Sequence, residues 1–278
     1  VWINIANLNI VKYYLNKQNM SLTFSLIQTN LFWEDKKANL DMLEKKILDI
    51  KENTQIVVLP EMFSTGFSMQ PKLFAESMDG ECVQWMKKIA LQRRIILTGS
   101  LMIEEDGKYF NRLVWMLPNG QLGYYDKRHC FAFGGEDKYY TAGKQKKIAQ
   151  VNGWKINLQI CYDLRFPVWA RQSDQNELFD VLLYVANWPT RRSYAWKSLL
   201  IARAIENQCY VVAVNRVGKD GNDIEHNGDS MVISPLGEIM YHKQIDEDIF
   251  TITLQKNALD EVRDRFPFWK DADEFILK

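Results

Sequence analysis

The sequence predicts one α/β domain in which helices and strands stack in layers. Three observations carry this. Apolar runs of strand length alternate with amphipathic stripes of helical period, the pattern of helices packed on sheets. No Gly/Ser-rich or low-complexity tract divides the chain. Its 278 residues, 47% hydrophobic and 25% charged, suffice to bury a large core without disulfides or a structural metal.

Residues 1–19 stand apart, rich in Asn, Ile and Tyr and lacking a basic n-region or a small-residue cleavage site. They are expected to be an extension upstream of a native start at Met20, dispensable for activity, with a single domain over 20–278. After Met20, the alternation of Leu22, Phe24 and Leu26 predicts a strand. Residues 34–53 place Leu40, Leu43, Ile47 and Ile50 on one helical stripe. QIVVLP (55–60) is near-continuously apolar, as in a strand covered on both faces. A helix over 80–94 and a strand over 94–103 follow. LVWMLPNGQLGYYDK then predicts a hairpin turning on Asn119-Gly120, and SMVISPLGEIMYHK another around Pro235–Gly237. The likeness of the two hairpins hints at two similar halves. Between them are expected strand 155–160, a helix from about Phe166, strand 181–187, helix 193–207 and strand 209–214.

Composition excludes several functions. The 35 Lys+Arg balance 35 Asp+Glu, which leaves no basic surplus for nucleic acid or an anionic membrane surface. No apolar run is long enough to span a membrane. The four cysteines (Cys82, Cys130, Cys161, Cys209) have no metal-type spacing and read as free thiols in a reducing cytoplasm. The three histidines (His129, His226, His242) show no i,i+4 pair, so a histidine-built zinc site is not expected.

Strand ends carry the candidate chemistry, because ligands of α/β sheets bind in the crevice beyond them. Glu61 follows IVVLP, Lys127 follows LGYYD, Cys161 follows KINLQI, and Asn187-Trp188 follow VLLYVA. Each alone has a plain alternative. Glu61 could be a solvated cap, Cys161 a small core residue, and Lys127 one surface cation among 35. Together they form a chemical set. A cysteine can attack a carbonyl carbon if a carboxylate takes its proton, and an ammonium with a backbone N–H can hold the resulting oxyanion.

The segments LPEMFSTGF (59–67), YDKRHCFAFGGE (125–136) and CYDLRFPVWAR (161–171) resemble the three signature segments of the nitrilase (carbon–nitrogen hydrolase) superfamily. ANWPTRRSYAW, ARAIENQCYVVAVNRVG, GDSMVISPLGE and RFPFWKDADEF extend the resemblance, which is strongest to the ω-amidase branch. It implies a four-layer αββα sandwich, usually dimerised. It also implies a thioester mechanism with Glu61 as general base, Lys127 as oxyanion lysine and Cys161 as nucleophile. Glu136 would orient them, and the Tyr162 backbone N–H would complete the oxyanion hole. No metal or organic cofactor is implied. The expected substrates are terminal amides of small 2-oxo acids such as 2-oxoglutaramate and 2-oxosuccinamate. The alternative for Glu136 is a loop carboxylate paired with Lys138 or Lys144.

A substrate carboxylate should meet an arginine. Arg192 is the candidate, ahead of Arg191; Arg165 reads as a structural partner of a carboxylate near the nucleophile. Phe133 and Trp188 are candidates for apolar walls. GKDGNDIEHNGDS (218–230) fails the calcium-loop pattern, with Ile224 at the fifth position and Glu225 where glycine is needed, and reads as a surface loop. Nine tryptophans and the aromatic segment 265–275 suggest surplus apolar surface and hence a homodimer or larger. Other readings remain: another carbon–nitrogen hydrolase (nitrilase, carbamoylase or aliphatic amidase), a metal-dependent phosphoesterase with Glu61 and Asp163 as magnesium ligands, or a non-catalytic binding protein.

Overall fold

A computed structural model describes residues 20–172, 178–273 and 275. The extension at 1–19 therefore lies outside the described residues. The first half runs β1 (Ser21–Gln28), α1 (Lys36–Leu48), β2 (Ile56–Val58), α2 (Pro71–Phe74), α3 (Glu81–Arg93), β3 (Ile96–Glu105), β4 (Lys108–Met116) and β5 (Leu122–Asp126). The second runs β6 (Ile148–Val151), β7 (Trp154–Ile160), α4 (Pro167–Ala170), β8 (Val181–Val185), α5 (Ser193–Asn207), β9 (Tyr210–Val214), β10 (Val217–Lys219), β11 (Glu225–Ile233) and β12 (Ile239–Gln244). Strand β13 (Asp248–Gln255) and helix α6 (Lys256–Arg265) follow.

Two sheets result, ordered β13-β1-β2-β3-β4-β5 and β10-β11-β9-β8-β7-β6, with β12 on β11. They share one pattern. Three parallel strands (β1–β3, β7–β9) are flanked by an antiparallel strand on one side and an antiparallel pair on the other. The two hairpins expected from sequence, β4–β5 and β11–β12, occupy equivalent places. Gly120 (φ +81°) and Gly237 (φ +86°) turn them, in a region of backbone space that Cβ-bearing residues avoid.

The strand period of two sorts side chains between layers. Leu22, Phe24, Leu26, Ile56 and Val58 pack against Ile156, Leu158 and Ile160 of the second sheet. Ile27, Val57 and Leu97 face outward onto Leu40, Leu43 and Ile47 of α1 and Met86 and Ile89 of α3. Trp196, Leu200 and Ala204 recur every four residues along α5 and bury that helix on the second sheet. The order is helix, sheet, sheet, helix: the αββα sandwich.

Three expectations need correction. The helix expected from about Phe166 is a four-residue turn, Pro167–Ala170, after which the chain leaves in extended backbone at Arg171. Segment 218–230 is not a loose surface loop: its ends form the β10–β11 hairpin, pairing Val217 with Asn227 and Lys219 with Glu225. The tryptophans give little of the expected surplus surface, because Trp85, Trp115, Trp154, Trp169, Trp188 and Trp196 are buried within one chain, although Trp33 and Trp269 are half-buried and Phe268 of the aromatic segment is exposed. Strands β6 and β13 and helix α6 had no expectation at all.

Candidate active site

Strands β2 and β5 run in one direction, since β4 is antiparallel to both β3 and β5, so their carboxyl ends share an edge. Glu61 lies just beyond β2, and Lys127 is the first residue after β5. Cys161 is the first residue after β7 of the facing sheet. It opens a short 3-10 turn, Cys161–Arg165, with φ +44°, and Met62, next to Glu61, has the same value. Such values are strained for residues with a Cβ and persist only where the surroundings enforce them.

Asp163 supplies the enforcement at Cys161. Its buried carboxylate accepts from the Ile160 N–H (3.0 Å), the His129 N–H (3.0 Å), the His129 ring (Nδ1, 2.8 Å) and the Tyr125 hydroxyl (2.8 Å). The Tyr125 hydroxyl in turn accepts from Trp169 Nε1 at 2.9 Å. One carboxylate thus ties the turn at Cys161 to the loop after Lys127. With four donors on two oxygens it is committed to this frame, so the magnesium role of the phosphoesterase reading has no support.

The structure brings Glu61, Lys127, Glu136 and Cys161 together. Lys127 Nζ donates to Glu61 Oε1 at 2.7 Å and to Glu136 at 2.9 and 3.0 Å. The Phe131 N–H fixes the far oxygen of Glu136 at 2.5 Å. Glu136 therefore pairs with Lys127, not with Lys138 or Lys144. Two further residues complete the frame, Asn111, which the sequence reading missed, and Asn187, which it noted only as a strand-end residue. Asn111 Nδ2 donates to Glu61 Oε1 (2.8 Å) and Glu136 Oε1 (3.0 Å). The Asn187 N–H donates to Glu61 Oε2 (2.8 Å), and its Nδ2 donates to the Glu61 carbonyl (2.5 Å). Asn187 was visible as a strand-end polar residue; Asn111, inside a strand, carried no local signal.

Charge follows from this packing. Burial works against the Lys127 ammonium, but Glu136 and Glu61 outweigh it and hold its pKa well above the ordinary value. Burial, then Glu61, raises Glu136, opposed by Lys127, Asn111 and the Phe131 N–H. Burial and the Glu61 charge push the Cys161 thiol well up, against the pull of Lys127 and the Asn187 N–H. Burial therefore favours the thiol form of Cys161. Cys82 and Cys209 are raised to about 12, chiefly by burial, but neither lines the cavity that holds Cys161.

Above this cluster lies a cavity of about 210 Å³. Trp188 is a buried wall, whereas Phe133 stands 80% exposed at the mouth, tilted against Phe131 at 5.9 Å. Arg192 lies over the Phe131 ring at 4.9 Å. Burial and the like charges of Arg191 and Arg165 lower its pKa. Arg165 corrects the expectation of a structural ion pair: it lines the same cavity, over the Trp188 ring at 5.0 Å. Arg165, Arg191 and Arg192 have no carboxylate partner among the described residues. The β10–β11 hairpin closes the far wall with Asp220, Asn222, Ile224 and His226. Tyr162 also lines the cavity; in the first turn after Cys161 its backbone N–H has no intrahelical acceptor.

This fold and this cluster belong together in one class. A family model of carbon–nitrogen hydrolases matches residues 23–264, and the chain belongs to that family, hydrolases of C–N bonds in linear amides. Among particular relatives, the chain is 42% identical over 257 residues to the omega-amidase YafV of Escherichia coli, covering 92% of this chain and 98% of that one. It is 34% identical to a 2-oxoglutaramate amidase of Bacillus subtilis, over 91% and 98% of the two chains. Among solved structures it is similar to a CN-hydrolase superfamily protein of Xanthomonas campestris with an arsenic adduct in its active site. That match has a TM-score of 0.90 at 43% identity, over 93% of this chain and 100% of that one.

Proposed function

We propose that the chain hydrolyses the terminal amide of small 2-oxo acids, 2-oxoglutaramate and 2-oxosuccinamate, to carboxylate and ammonia through a thioester on Cys161. One observation carries this reading: the Glu61–Lys127–Glu136 cluster sits beside the Cys161 thiol on the floor of a cavity walled by guanidiniums that have no carboxylate partner among the described residues. Relatives named for ω-amidase and 2-oxoglutaramate amidase activity support it.

The steps follow from the positions. Glu61 takes the thiol proton as sulfur attacks the amide carbon. The oxyanion lies between Lys127 Nζ and the Tyr162 N–H, with Glu136 holding the ammonium in place. Glu61 returns the proton to nitrogen, ammonia leaves, and the thioester remains. Water then attacks the thioester carbonyl, giving a proton to Glu61. Collapse expels the Cys161 sulfur, which recovers that proton. Proton transfer and charge stabilisation come from side chains and one backbone amide, so the scheme calls for no metal or organic cofactor.

Arg192, with Arg165 beside it, is the partner for the distal carboxylate, and Trp188 and Phe133 are its apolar surroundings. A 2-oxo group is neutral and planar, whereas glutamine brings an ammonium that would be desolvated among guanidiniums. That costs several kcal/mol, a discrimination of about 100-fold or more. An amide panel with ammonia detection tests the proposal. Better kcat/KM for glutamine or a nitrile overturns the substrate class, and no ammonia from any linear amide overturns the enzyme. Arg192→Ala is expected to raise KM for amides bearing the distal carboxylate and to spare short uncharged ones. The same reading takes the working form to be a homodimer or larger assembly in the cytoplasm. Free thiols at Cys82, Cys130, Cys161 and Cys209 fit a reducing compartment. No described helix is long and apolar enough to cross a membrane.

A further inference from the structure

We propose that Asn111 is a positioning residue whose side-chain amide keeps Glu61 and Glu136 both charged around a single ammonium, an inference that rests on the role of Glu61 as base. Asn111 is the fourth of the nine residues of β4. Because β4 runs antiparallel to β5, with Arg112 opposite Asp126, that part of the strand meets Lys127 as it leaves β5. The Lys127 N–H donates to the Asn111 carbonyl at 3.0 Å, which locks the two backbones in register.

The side chains close a ring. Lys127 Nζ donates to Glu61 Oε1 and Glu136 Oε1 at 2.7 and 3.0 Å, and Asn111 Nδ2 donates to the same two oxygens at 2.8 and 3.0 Å. Two donors thus alternate with two acceptors. The opposite amide orientation would set Oδ1 against two carboxylates, so their charge decides which way the amide faces. Asn111 Oδ1 is buried and has no protein partner among the described residues, so nothing competes with that choice.

The cluster has two carboxylates and one cation in a site removed from water. Like charges in such a site tend to retain a proton between them, which would take the base out of action. A neutral donor reaching both oxygens favours the ionised pair. A second cation in that place would also pair with the base and compete for it. With Oε1 held in the ring, Glu61 Oε2 is left with the Asn187 N–H, which also bears on the Cys161 thiol. By elimination, this is the oxygen left to receive the thiol proton.

Every group facing the pair is accounted for among the described residues. Glu61 meets Lys127, Asn111, Asn187 and Cys161; Glu136 meets Lys127, Asn111 and the Phe131 N–H. The Cys130 thiol and Tyr140 phenol near Glu136 are both kept neutral, Cys130 being pushed up to about 12 by burial and the Glu136 charge. Removing the amide should therefore make it easier for the two carboxylates to retain a shared proton.

The experiment compares wild type with Asn111→Leu, which keeps similar volume without a donor, and Asn111→Ser, which keeps one hydroxyl donor. Two profiles are measured from pH 4 to 9: kcat/KM for 2-oxoglutaramate, and the rate of Cys161 alkylation by iodoacetamide. In Asn111→Leu the acid limb of both is expected to move up by about one pH unit. Asn111→Ser should move it less, in the same direction, and it carries the test if the leucine variant does not fold. A folded variant with a lowered plateau and an unmoved limb overturns the proposal, since that is what a merely structural asparagine would give. The alkylation profile needs no substrate. Failure of wild type to hydrolyse 2-oxoglutaramate would count against the proposed function and leave the inference on Asn111 separately decided.

Discussion

Cys161 ends an apolar strand with a strained backbone angle and a thiol that burial keeps protonated, an unfavourable combination for a residue that only fills space. Cys161→Ala removes little volume and, of the ion cluster, only the thiol's contact with Glu61. It is expected to retain the wild-type circular dichroism and less than about a tenth of the activity. Lys127→Met probes the opposite case. It should lower kcat by roughly 100-fold or more, the loss seen when an oxyanion donor is removed, and a change confined to KM would mark Lys127 as a uniform binding residue. It also leaves Glu61 and Glu136 buried without their cation, so a fall in Tm should accompany it.

Among elements, the β10–β11 hairpin differs most from its sequence appearance. Acidic and glycine-rich, segment 218–230 reads as solvent-facing, yet it holds a buried histidine against the cavity. Burial, with the buried Arg216 guanidinium beside it, pushes His226 down from 6.5 to about 4. As pH falls below 6.5 the unfolded chain takes up a proton that the folded hairpin refuses until about 4, so stability drains away across that interval, by about 3 kcal/mol at most. Urea midpoints at pH 7, 5.5 and 4 are expected to fall more steeply for wild type than for His226→Gln. Parallel curves would show that His226 does not contribute. The helical stripes of α1 and α5 were legible because their periodicity is local. The short α4 was not, because Pro167 at its first turn favours helix while the backbone at Arg171 ends it.

For the whole molecule, the two sheets and their outer helices leave Ile205, Leu236, Ile239 and Met240 exposed, while six of the nine tryptophans fill the interior. If the chain works as a homodimer or larger, light scattering at micromolar concentration should give at least twice the 32.7 kDa of one chain. A stable monomer would contradict the assembly. Asp163 belongs to this scale too, because it joins residues from both sheets. Asp163→Asn should lower Tm and slow alkylation of Cys161 together, and loss of only one would separate its anchoring of the nucleophile turn from its contribution to packing.

The sequence by itself determined the layers and singled out the side chains proposed to react. Periods of two and 3.6 record which face of an element is buried, and Glu61, Lys127 and Cys161 stand at strand ends inside recognisable segments. Tertiary structure alone decided what surrounds them. Glu61 meets Lys127 across 66 residues and Asn187 across 126, and Asn111 reaches Glu61 across 50. Strand periodicity assigns a residue to a face of its sheet. It says nothing of which strand will be its neighbour or which strand of the facing sheet will lie opposite. Asn111 in mid-strand, His226 in an acidic hairpin and Arg165 on a cavity wall are ordinary residues until the sheets close over them. Only then do distance and burial turn their hydrogen bonds and charges into chemistry.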